Sequence, residues 1–363
     1  MYLVYSFTTG GTERLLVDIC NQMAAMGHDV TLYIVNELYD KKMLSELNSK
    51  VHIQLQHRPV GKKDLIKTSI KIYTYVKKHN ISIIHCNSFN SPELVFIAKL
   101  LKPNTKIFYT IHGMGQYKKL NKVRKIYRNI ICRKIFSISR SVEKDLKKYG
   151  ANPRKCTTIY NGIDTSRFKM NIKTFDPSKV ILGNIARIEP SIKGQDILVD
   201  AVRKIKKNYP NIKCLIAGKA SDDNNKDYNS LIKFISDNKL EKNITFLGNI
   251  SDTPSFLSKI DIFVLPSKSE GFGISLVEAW CSGVPTIASN IEGPEELTNS
   301  EKVGRLFEKN NSDSLSSVIQ SMINDFKKEK EKAISSMTRI RGKYDIRNTC
   351  DILINEYIGE NER

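Results

Sequence analysis

The sequence predicts an α/β protein made of two doubly wound domains, each with a parallel sheet. Apolar segments of strand length alternate with amphipathic segments of helix length along almost the whole chain. At 363 residues the chain is too long for one ordinary core, since about 150 residues per domain is typical. A polar stretch, residues 165–178, interrupts the alternation and is predicted to be the linker. We therefore expect domains at residues 1–167 and 168–343, and a last helix, about residues 344–363, that docks on the first domain.

The first domain opens with a β-α-β unit, in which Leu15, Leu16, Ile19 and Met23 recur at helical spacing between two apolar strands. The alternation then continues to the linker. The predicted strands are Met1–Ser6, His28–Val35, Ile81–His85, Lys106–Ile111, Ile135–Ser139 and Cys156–Tyr160, and the predicted helices are Arg14–Ala25, Lys63–His79, Pro92–Leu101 and Val142–Tyr149.

The second domain repeats this alternation. Its predicted strands are Val180–Ala186, Ile212–Gly218, Ile244–Gly248, Ile262–Leu265, Thr286–Ser289 and Gly304–Phe307. Its predicted helices are Asp196–Lys206, Tyr228–Asn238 and Ser255–Ile260, followed by a helical tail that ends in a docking helix, Tyr344–Tyr357. Because doubly wound sheets bind ligands at the carboxyl ends of their strands, polar residues that follow strands are the first candidates for a site.

The net charge of +20 is concentrated in the first domain. Residues 1–167 contain 29 Lys and Arg against 11 Asp and Glu, a balance of +18, whereas the remainder has a balance of +2. A field of that strength indicates an anionic partner on this side: a membrane surface, a nucleic acid or a phosphorylated substrate.

The cysteines and the hydropathy pattern predict a cytoplasmic protein. Seven cysteines are scattered singly without a C-x-x-C pair, which favours small, reduced core residues over a disulfide framework. No segment approaches the ~18 apolar residues of a membrane span, and no signal-peptide pattern precedes the first strand.

The most informative segment is Leu265–Pro285. A strand ending at Leu265 is followed by Glu270, by the backbone of Gly271–Gly273, and by a helix that carries Glu278. Backbone N–H groups at a helix start favour an anion, and two carboxylates can accept hydrogen bonds from sugar hydroxyls. The pattern is typical of a sugar-nucleotide site, and a tight glycine turn beside two solvated glutamates is the structural alternative.

Two cations follow the first strand of the second domain. Arg187 and Lys193 share one strand-to-helix loop. Exposed basic residues are usually only solvated, but a pair at the carboxyl edge of a sheet suits a diphosphate.

In the first domain, Gly10, Gly11 and His112 follow predicted strands. Each is therefore expected at the ligand-binding edge of the sheet. The alternatives are a glycine pair that needs positive φ and a structural histidine.

Residues 118–136 combine apolar residues at helical spacing with many basic residues, and predict a basic amphipathic helix. Such a helix either lies on a membrane surface or packs with a solvated basic face. For the membrane alternative, Lys122, Arg124, Lys125 and Arg128 form the expected contact patch.

Together these segments resemble the retaining glycosyltransferases of GT-B fold, and most of all the family-four class (glycosyl transferases group 1) that builds bacterial surface polysaccharides. The resemblance spans nearly the whole chain and implies two Rossmann-like domains facing each other across a cleft. It rests on Gly10-Gly11-Thr12-Glu13, His112-Gly113, Asn161-Gly162-Ile163-Asp164, Arg187 with Lys193-Gly194, and Glu270-Gly271-Phe272-Gly273 with Glu278.

The resemblance also implies roles. Glu270, with the backbone of Gly271, Phe272 and Gly273, would contact the donor sugar, and Glu278 the ribose hydroxyls. The donor diphosphate would be held by Arg187 and Lys193, and approached from the first domain by Gly10 and Gly11. His112 would touch the donor sugar.

The implied reaction is transfer, with retention, of a hexose or N-acetylhexosamine from a nucleoside diphosphate sugar to an acceptor hydroxyl. UDP is the commonest donor nucleotide of the class, and the implied acceptor is a saccharide, lipid-linked, in capsule, exopolysaccharide or lipopolysaccharide synthesis. In this family the leaving phosphate is thought to take the acceptor's proton, so that Glu270 positions the donor and does not attack it. The sequence has no D-x-D motif, so no metal and no cofactor are expected, with the two cations taking the metal's role. The expected location is the inner face of the cell membrane, as a peripheral protein.

Three alternatives stand beside this one. The first is a sugar-nucleotide epimerase of the same architecture. The presence of the full set of retaining-transferase positions disfavours this alternative. The second is a nucleic-acid-binding protein, but no nucleic-acid motif occurs and few aromatic residues interleave the basic segment, so we expect no nucleic-acid partner. The third is a catalytically silent partner subunit. This alternative is disfavoured because Arg187, Lys193 and Glu270 are all present.

Overall fold

The computed structural model describes residues 1–8, 10–220 and 226–359. They form two compact units: unit 1 is Met1–Ile163 with the C-terminal segment from Asp345, and unit 2 is Asp164–Tyr344. Thr9 of the first loop and residues 360–363 of the predicted last helix lie outside the described residues.

The described part of unit 1 contains a seven-stranded sheet in which every pairing is parallel. Its strands are β1 Tyr2–Val4, β2 Thr31–Asn36, β3 His52–Arg58, β4 Ile83–Cys86, β5 Lys106–Ile111, β6 Cys132–Ser137 and β7 Cys156–Thr158. They are ordered β3-β2-β1-β4-β5-β6-β7. The order reverses between β1 and β4, which is the switch point where doubly wound sheets bind ligands.

The helices of unit 1 follow the predicted alternation. They are α1 Gly11–Ala25, α2 Lys41–Ser45, α3 Leu65–Lys78, α4 Phe96–Leu101, α5 Lys122–Ile131 and α6 Arg140–Lys148, with a 3-10 segment, Ser91–Val95, leading into α4.

Three parts of unit 1 differ from the sequence-based prediction. The five-residue helix α2 was not predicted. Strand β3 was not predicted, because it is an edge strand with polar residues at most positions and gives a weak apolar signal. The predicted helix over residues 118–136 is wrong at both ends: α5 starts at Lys122 and stops at Ile131, and Cys132–Ser137 is strand β6. A short apolar run suits either structure, and pairing with β5 and β7 decides for strand.

Unit 2 contains a six-stranded sheet, also entirely parallel, in the described residues. Its strands are β8 Ile181–Ile185, β9 Lys213–Ala217, β10 Ile244–Phe246, β11 Ile262–Leu265, β12 Thr286–Ser289 and β13 Arg305–Phe307. The order β10-β9-β8-β11-β12-β13 places the switch point between β8 and β11.

The helices of unit 2 cover both faces of this sheet's core. They are α7 Pro190–Lys193, α8 Gln195–Ile205, α9 Lys226–Asp237, α10 Thr253–Leu257, α11 Ile274–Cys281, α12 Glu292–Glu301, α13 Ser312–Asn324 and α14 Phe326–Lys343. On one face, Leu198 of α8 and Ile319 of α13 pack with Leu182 and Val264 of the central strands, and all four are fully buried. The continuous apolar strands are those of a parallel sheet covered on both sides.

The last helix, α15 Ile346–Ile358, belongs to unit 1. Its Tyr357 hydroxyl lies 3.1 Å from the Tyr2 hydroxyl of β1, and its ring lies 4.9 Å from that of Phe108 in β5. The expectation that the C-terminal helix returns to the first domain is therefore confirmed.

All seven cysteines are free and buried, as the sequence predicts. Across the described residues, no helix has both the length and the apolar content to cross a membrane.

Candidate functional site

The candidate site of unit 2 starts at its switch point. Arg187 and Lys193 follow β8, and Glu270 follows the adjacent strand β11. Because neighbouring parallel strands end at the same edge of a sheet, the two loops meet. Lys193 Nζ lies 2.7 Å from Glu270 Oε2. Their side chains are 18% and 20% exposed, so the pair is held in the structure yet open to a ligand.

The Arg187 side chain is more exposed to solvent than that of Lys193. Its side chain is 62% exposed, and its guanidinium lies 3.5 Å from Glu189 of the same loop. Its main chain is fixed, because the buried Gln195 side chain donates a hydrogen bond to the Arg187 carbonyl at 2.8 Å. The side chain can therefore move toward an anion while the loop stays in place.

The two loops are locked together by main-chain contacts. The amide of Lys268 donates to the carbonyl of Ile192 at 2.8 Å. At Gly194 the backbone has φ +69°, and a Cβ there would lie 1.9 Å from the carbonyl oxygen of Pro266. Only glycine permits this approach, so Gly194 sets the separation between Lys193 and the loop that carries Glu270.

The rest of the predicted donor loop leads into helix α11. Gly273 precedes the helix with φ +103°, a conformation that favours glycine. The Phe272 side chain is 1% exposed and its ring lies 6.0 Å from the ring of Tyr344. Its predicted place in a donor site is thus limited to its main chain, because the side chain belongs to the core. Glu278 lies in α11 and is half-buried.

In unit 1, Gly10 lies between β1 and α1 and Gly11 is the first residue of α1, at the switch point. Gly10 is extended, with φ −173°, and neither residue has positive φ. The alternative of a turn that requires positive φ is therefore wrong. A Cβ at Gly10 would lie 2.5 Å from Glu13 Oε2, so its small size instead leaves room for a side chain of the first helical turn.

His112 follows β5 and contacts a residue that sequence reasoning missed. Its Nε2 lies 3.0 Å from Oδ1 of Asn87, which follows β4. Burial lowers the pKa of His112 to about 4, so the ring is neutral at pH 7. A neutral ring donates from Nε2 to Asn87 and keeps Nδ1 as an acceptor. The Asn87 Nδ2 group is buried and has no partner among the described residues. The sequence feature that could have identified Asn87 as a candidate is its position directly after a strand.

The structure corrects the predicted basic patch at Arg128. The Arg128 side chain is fully buried, and it donates to both carboxylate oxygens of Glu93, at 2.8 and 2.9 Å, and to the Tyr109 hydroxyl. Arg124 also pairs with Glu93, at 2.9 Å. Burial opposes ionisation of Glu93, but these hydrogen bonds hold its pKa below the usual range. Arg128 therefore forms a buried ion pair with Glu93, because burying an unpaired charge would cost far more free energy than burying a paired one.

Within residues 1–8, 10–220 and 226–359, no group of three or more His, Cys, Asp and Glu could hold a metal ion.

Each half of the chain matches the model of a known protein family. The family model described as Glycosyltransferase Family 4 matches residues 9–167, and the model described as Glycosyl transferases group 1 matches residues 165–339. A similar relative is the UDP-Gal:alpha-D-GlcNAc-diphosphoundecaprenol alpha-1,3-galactosyltransferase of Escherichia coli, 29% identical over 72% of this chain and 71% of the relative. Another is a capsular polysaccharide biosynthesis glycosyltransferase of Staphylococcus aureus, 22% identical over 89% of this chain and 90% of the relative.

Solved structures show the same fold. The Anabaena protein HepE, crystallised with UDP and glucose, has a TM-score of 0.84 at 20% identity and covers 98% of this chain and 97% of its own. The lipopolysaccharide outer core galactosyltransferase WaaB has a TM-score of 0.70 at 16% identity, with 98% of each chain covered. The two Rossmann-like domains, each built on a parallel sheet, have the GT-B fold. With one family domain in each half, the chain belongs to the glycosyltransferases that combine a Glycosyltransferase Family 4 domain with a glycosyl transferases group 1 domain.

Proposed function

We propose that this glycosyltransferase moves a hexose or N-acetylhexosamine from a UDP-sugar to a hydroxyl of a lipid-linked saccharide. The product would be part of a surface polysaccharide: a capsule, an exopolysaccharide or a lipopolysaccharide. The observation that carries the proposal is the Lys193–Glu270 pair at the switch point of unit 2. Lys193 supplies a cation that can bind a phosphate, and Glu270 supplies a carboxylate that can accept hydrogen bonds from sugar hydroxyls. The names of relatives from capsule and diphosphoundecaprenol-linked synthesis support the acceptor class.

In this proposal Arg187 and Lys193 hold the donor diphosphate. Departure of a nucleoside diphosphate builds negative charge on its terminal phosphate, and two cations placed there stabilise that charge. The open Arg187 side chain supplies a planar fork for two phosphate oxygens, and Lys193 supplies a compact charge. No metal and no cofactor is required, because the cations fill the role of a divalent ion.

Glu270 positions the sugar. A carboxylate accepts hydrogen bonds from hydroxyls, and its contact with the Lys193 ammonium fixes its direction. The main chain of Gly271, Phe272 and Gly273 adds donors beside it, and Glu278 holds the ribose. Retention then follows if the leaving phosphate removes the acceptor's proton on the face where the bond breaks.

Unit 1 contributes Gly10, Gly11 and His112. The neutral His112 ring, oriented by Asn87, offers Nδ1 as an acceptor for a sugar hydroxyl. The extended glycine backbone at the switch point lets the main chain come close to the diphosphate.

The enzyme works at the inner face of the cell membrane, held there as a peripheral protein by unit 1. The +18 balance of residues 1–167 favours an anionic surface. Lys122, which is exposed on α5, and the half-buried Arg124 and Lys125 remain in the proposed contact patch, whereas Arg128 does not.

A transfer assay tests the proposal. Purified protein is incubated with radiolabelled UDP-sugars and undecaprenyl-diphosphate-linked saccharides, and the anomeric configuration of any product is read by NMR. We expect one donor to give a glycolipid with the donor's own anomeric configuration. Inverted product would contradict retention. Release of free or epimerised sugar, with no glycolipid from any donor, would contradict the transferase proposal.

A further inference from the structure

Gly293 lies where helix α12 meets the donor loop, residues 270–273. Strand β12, which precedes α12, pairs in parallel with β11, which precedes the donor loop. Because neighbouring parallel strands end at the same edge of a sheet, the segments that follow them meet. Gly293 is the second residue of α12, is buried, and lies against the main chain of the loop. The proposed function gives α12 no role.

This contact leaves no room for a side chain on Gly293. A Cβ there would lie 2.6 Å from the carbonyl carbon of Gly271 and 2.7 Å from the amide nitrogen of Phe272. An ordinary contact of a Cβ begins at 3.4 Å, so an alanine would have to push the carbonyl carbon out from 2.6 to about 3.4 Å. Gly293 does not have a positive φ. The close approach of the loop is therefore what requires glycine at this position.

Helix α12 is the less movable of the two partners. Its Leu297 is 1% exposed, and the side chain of Glu301 at its last position is fully buried. Glu301 forms ion pairs with Arg339 and Lys343 of α14. It also accepts a hydrogen bond of 3.0 Å from the Tyr344 hydroxyl. A shift of α12 would disturb this buried network, so the donor loop takes up most of the displacement.

Tyr344 connects the same network to the side chain of the donor loop. The rings of Tyr344 and Phe272 lie 6.0 Å apart, and both residues are 1% exposed. Helix α12 therefore holds the loop in two ways. Gly293 contacts the main chain directly, and Glu301 orients the Tyr344 ring that packs against Phe272. All of these residues belong to unit 2.

We propose that Gly293 and Tyr344 are positioning residues of the donor site, which fix the main chain of Gly271 and Phe272 where it meets the donor sugar. The inference rests on the proposed function, in which this main chain contacts the sugar, and adds to it two residues that act through the loop. UDP carries no sugar. A displaced loop should therefore weaken binding of a UDP-sugar and leave binding of UDP unchanged.

Isothermal titration of the full chain with UDP and with a UDP-sugar tests the proposal. The probes are UDP-glucose, UDP-galactose, UDP-N-acetylglucosamine and UDP-N-acetylgalactosamine, and the sugar that the wild type binds most tightly is used for all variants. The main variant is G293A. Its matched control is G342A, at a glycine of α14 whose Cβ position has no atom within 4 Å. Fluorescence of the buried Trp280 shows whether each variant is folded.

A second pair of variants changes the other contact of the loop and introduces no clash. Y344L removes the aromatic contact with Phe272, whereas Y344F keeps the ring. Both lose the hydroxyl that donates to Glu301, so the difference between them isolates the ring contact.

We expect G293A to raise the Kd for the UDP-sugar by about 5- to 25-fold, because a hydrogen bond is worth about 1 kcal/mol, or about fivefold in Kd, and the loop would lose one or two. Its Kd for UDP should equal that of the wild type. Y344L should raise the Kd for the UDP-sugar by a smaller factor, and Y344F and G342A should bind both ligands like the wild type.

Four results would overturn the proposal. G293A that binds the UDP-sugar as tightly as G342A would show that the loop does not depend on Gly293. Equal losses of UDP and UDP-sugar affinity in G293A would indicate general damage to unit 2. If G293A does not fold, equal UDP-sugar affinity in Y344L and Y344F would reject the positioning role. If the wild type binds none of the four UDP-sugars, the proposed donor class fails, and this inference fails with it.

Discussion

Lys193 Nζ and Glu270 Oε2 lie 2.7 Å apart, although 77 residues separate them in the chain. They meet because β8 and β11 are neighbours at the point where the strand order reverses. The pair is part-buried and lies at the edge of the sheet, so its contribution to folding is small, about 0–1 kcal/mol. In the proposed function the pair instead binds and positions the sugar donor.

We expect E270Q and K193M each to lower kcat/KM by about 100-fold or more, because each removes a preorganised charge from the transition state. Steady-state kinetics with the cognate donor measure this. The matched control is K268M, which breaks the ion pair, 2.6 Å long, between Lys268 of the Glu270 loop and Asp196 of α8. Near-normal turnover in E270Q, or an equal loss in K268M, would show that the site is assigned to the wrong pair.

Gly194 should be intolerant of any side chain. A Cβ would lie 1.9 Å from the Pro266 carbonyl, so G194A should destabilise unit 2 by roughly 2 kcal/mol or more. Gly248 has a similar φ, +66°, but no atom within 4 Å of its Cβ position, so G248A should cost only about 1 kcal/mol of backbone strain. Trp280, the one tryptophan, is buried in unit 2 and reports urea unfolding by fluorescence. Equal losses in the two variants would contradict the close approach.

Arg128 should be essential for the stability of unit 1. Because R128M leaves the Glu93 carboxylate without its main partner, we expect a loss of about 3–5 kcal/mol, with R128M/E93L recovering part of it. Hydrogen exchange of the α5 amides measures the effect. K122M, at the exposed start of the same helix, is the control and should change stability by less than about 0.5 kcal/mol. If R128M exchanges like K122M, Arg128 does not form a core ion pair.

Acid should destabilise unit 1 through His112. Its pKa is lowered from 6.5 to about 4 by burial, so the folded state resists protonation. The stability it contributes is complete above pH 6.5 and is lost as pH falls from 6.5 to 4, at about 1.4 kcal/mol per pH unit for one proton. Urea unfolding followed by circular dichroism should show a slope in H112N that is smaller by one proton than the slope in the wild type. Superimposable profiles would mean that the folded state does not hold His112 as a neutral ring.

Removal of divalent ions should leave transfer unchanged. We expect EDTA-treated enzyme to keep its kcat/KM, since the proposed function assigns stabilisation of the leaving diphosphate to Arg187 and Lys193. The assay uses metal-free buffers, with readdition of Mg²⁺ or Mn²⁺ as the control. A loss restored by either ion would assign that role to a metal.

The sequence predicted the order of strands and helices, and the edge of each sheet where the site residues lie, because both depend on local periodicity and on where each strand stops. It could not predict that Arg128 turns inward, because its partner Glu93 is 35 residues away and comes close only through packing. The same holds for the Asn87–His112 contact, which needs the pairing of β4 with β5. Strand β3 was missed because its stability comes from the sheet and little from its own apolar residues.

Thermal unfolding with a panel of nucleoside diphosphate sugars shows whether the Lys193–Glu270 edge of unit 2 binds such a ligand. A ligand at 100 times its Kd stabilises the folded state by about 2.7 kcal/mol. We expect one UDP-sugar to raise Tm in the wild type and in K268M, and this rise to be lost in K193M and E270Q. A rise that persists in both of those variants, or no rise with any nucleotide sugar, would contradict binding at this edge.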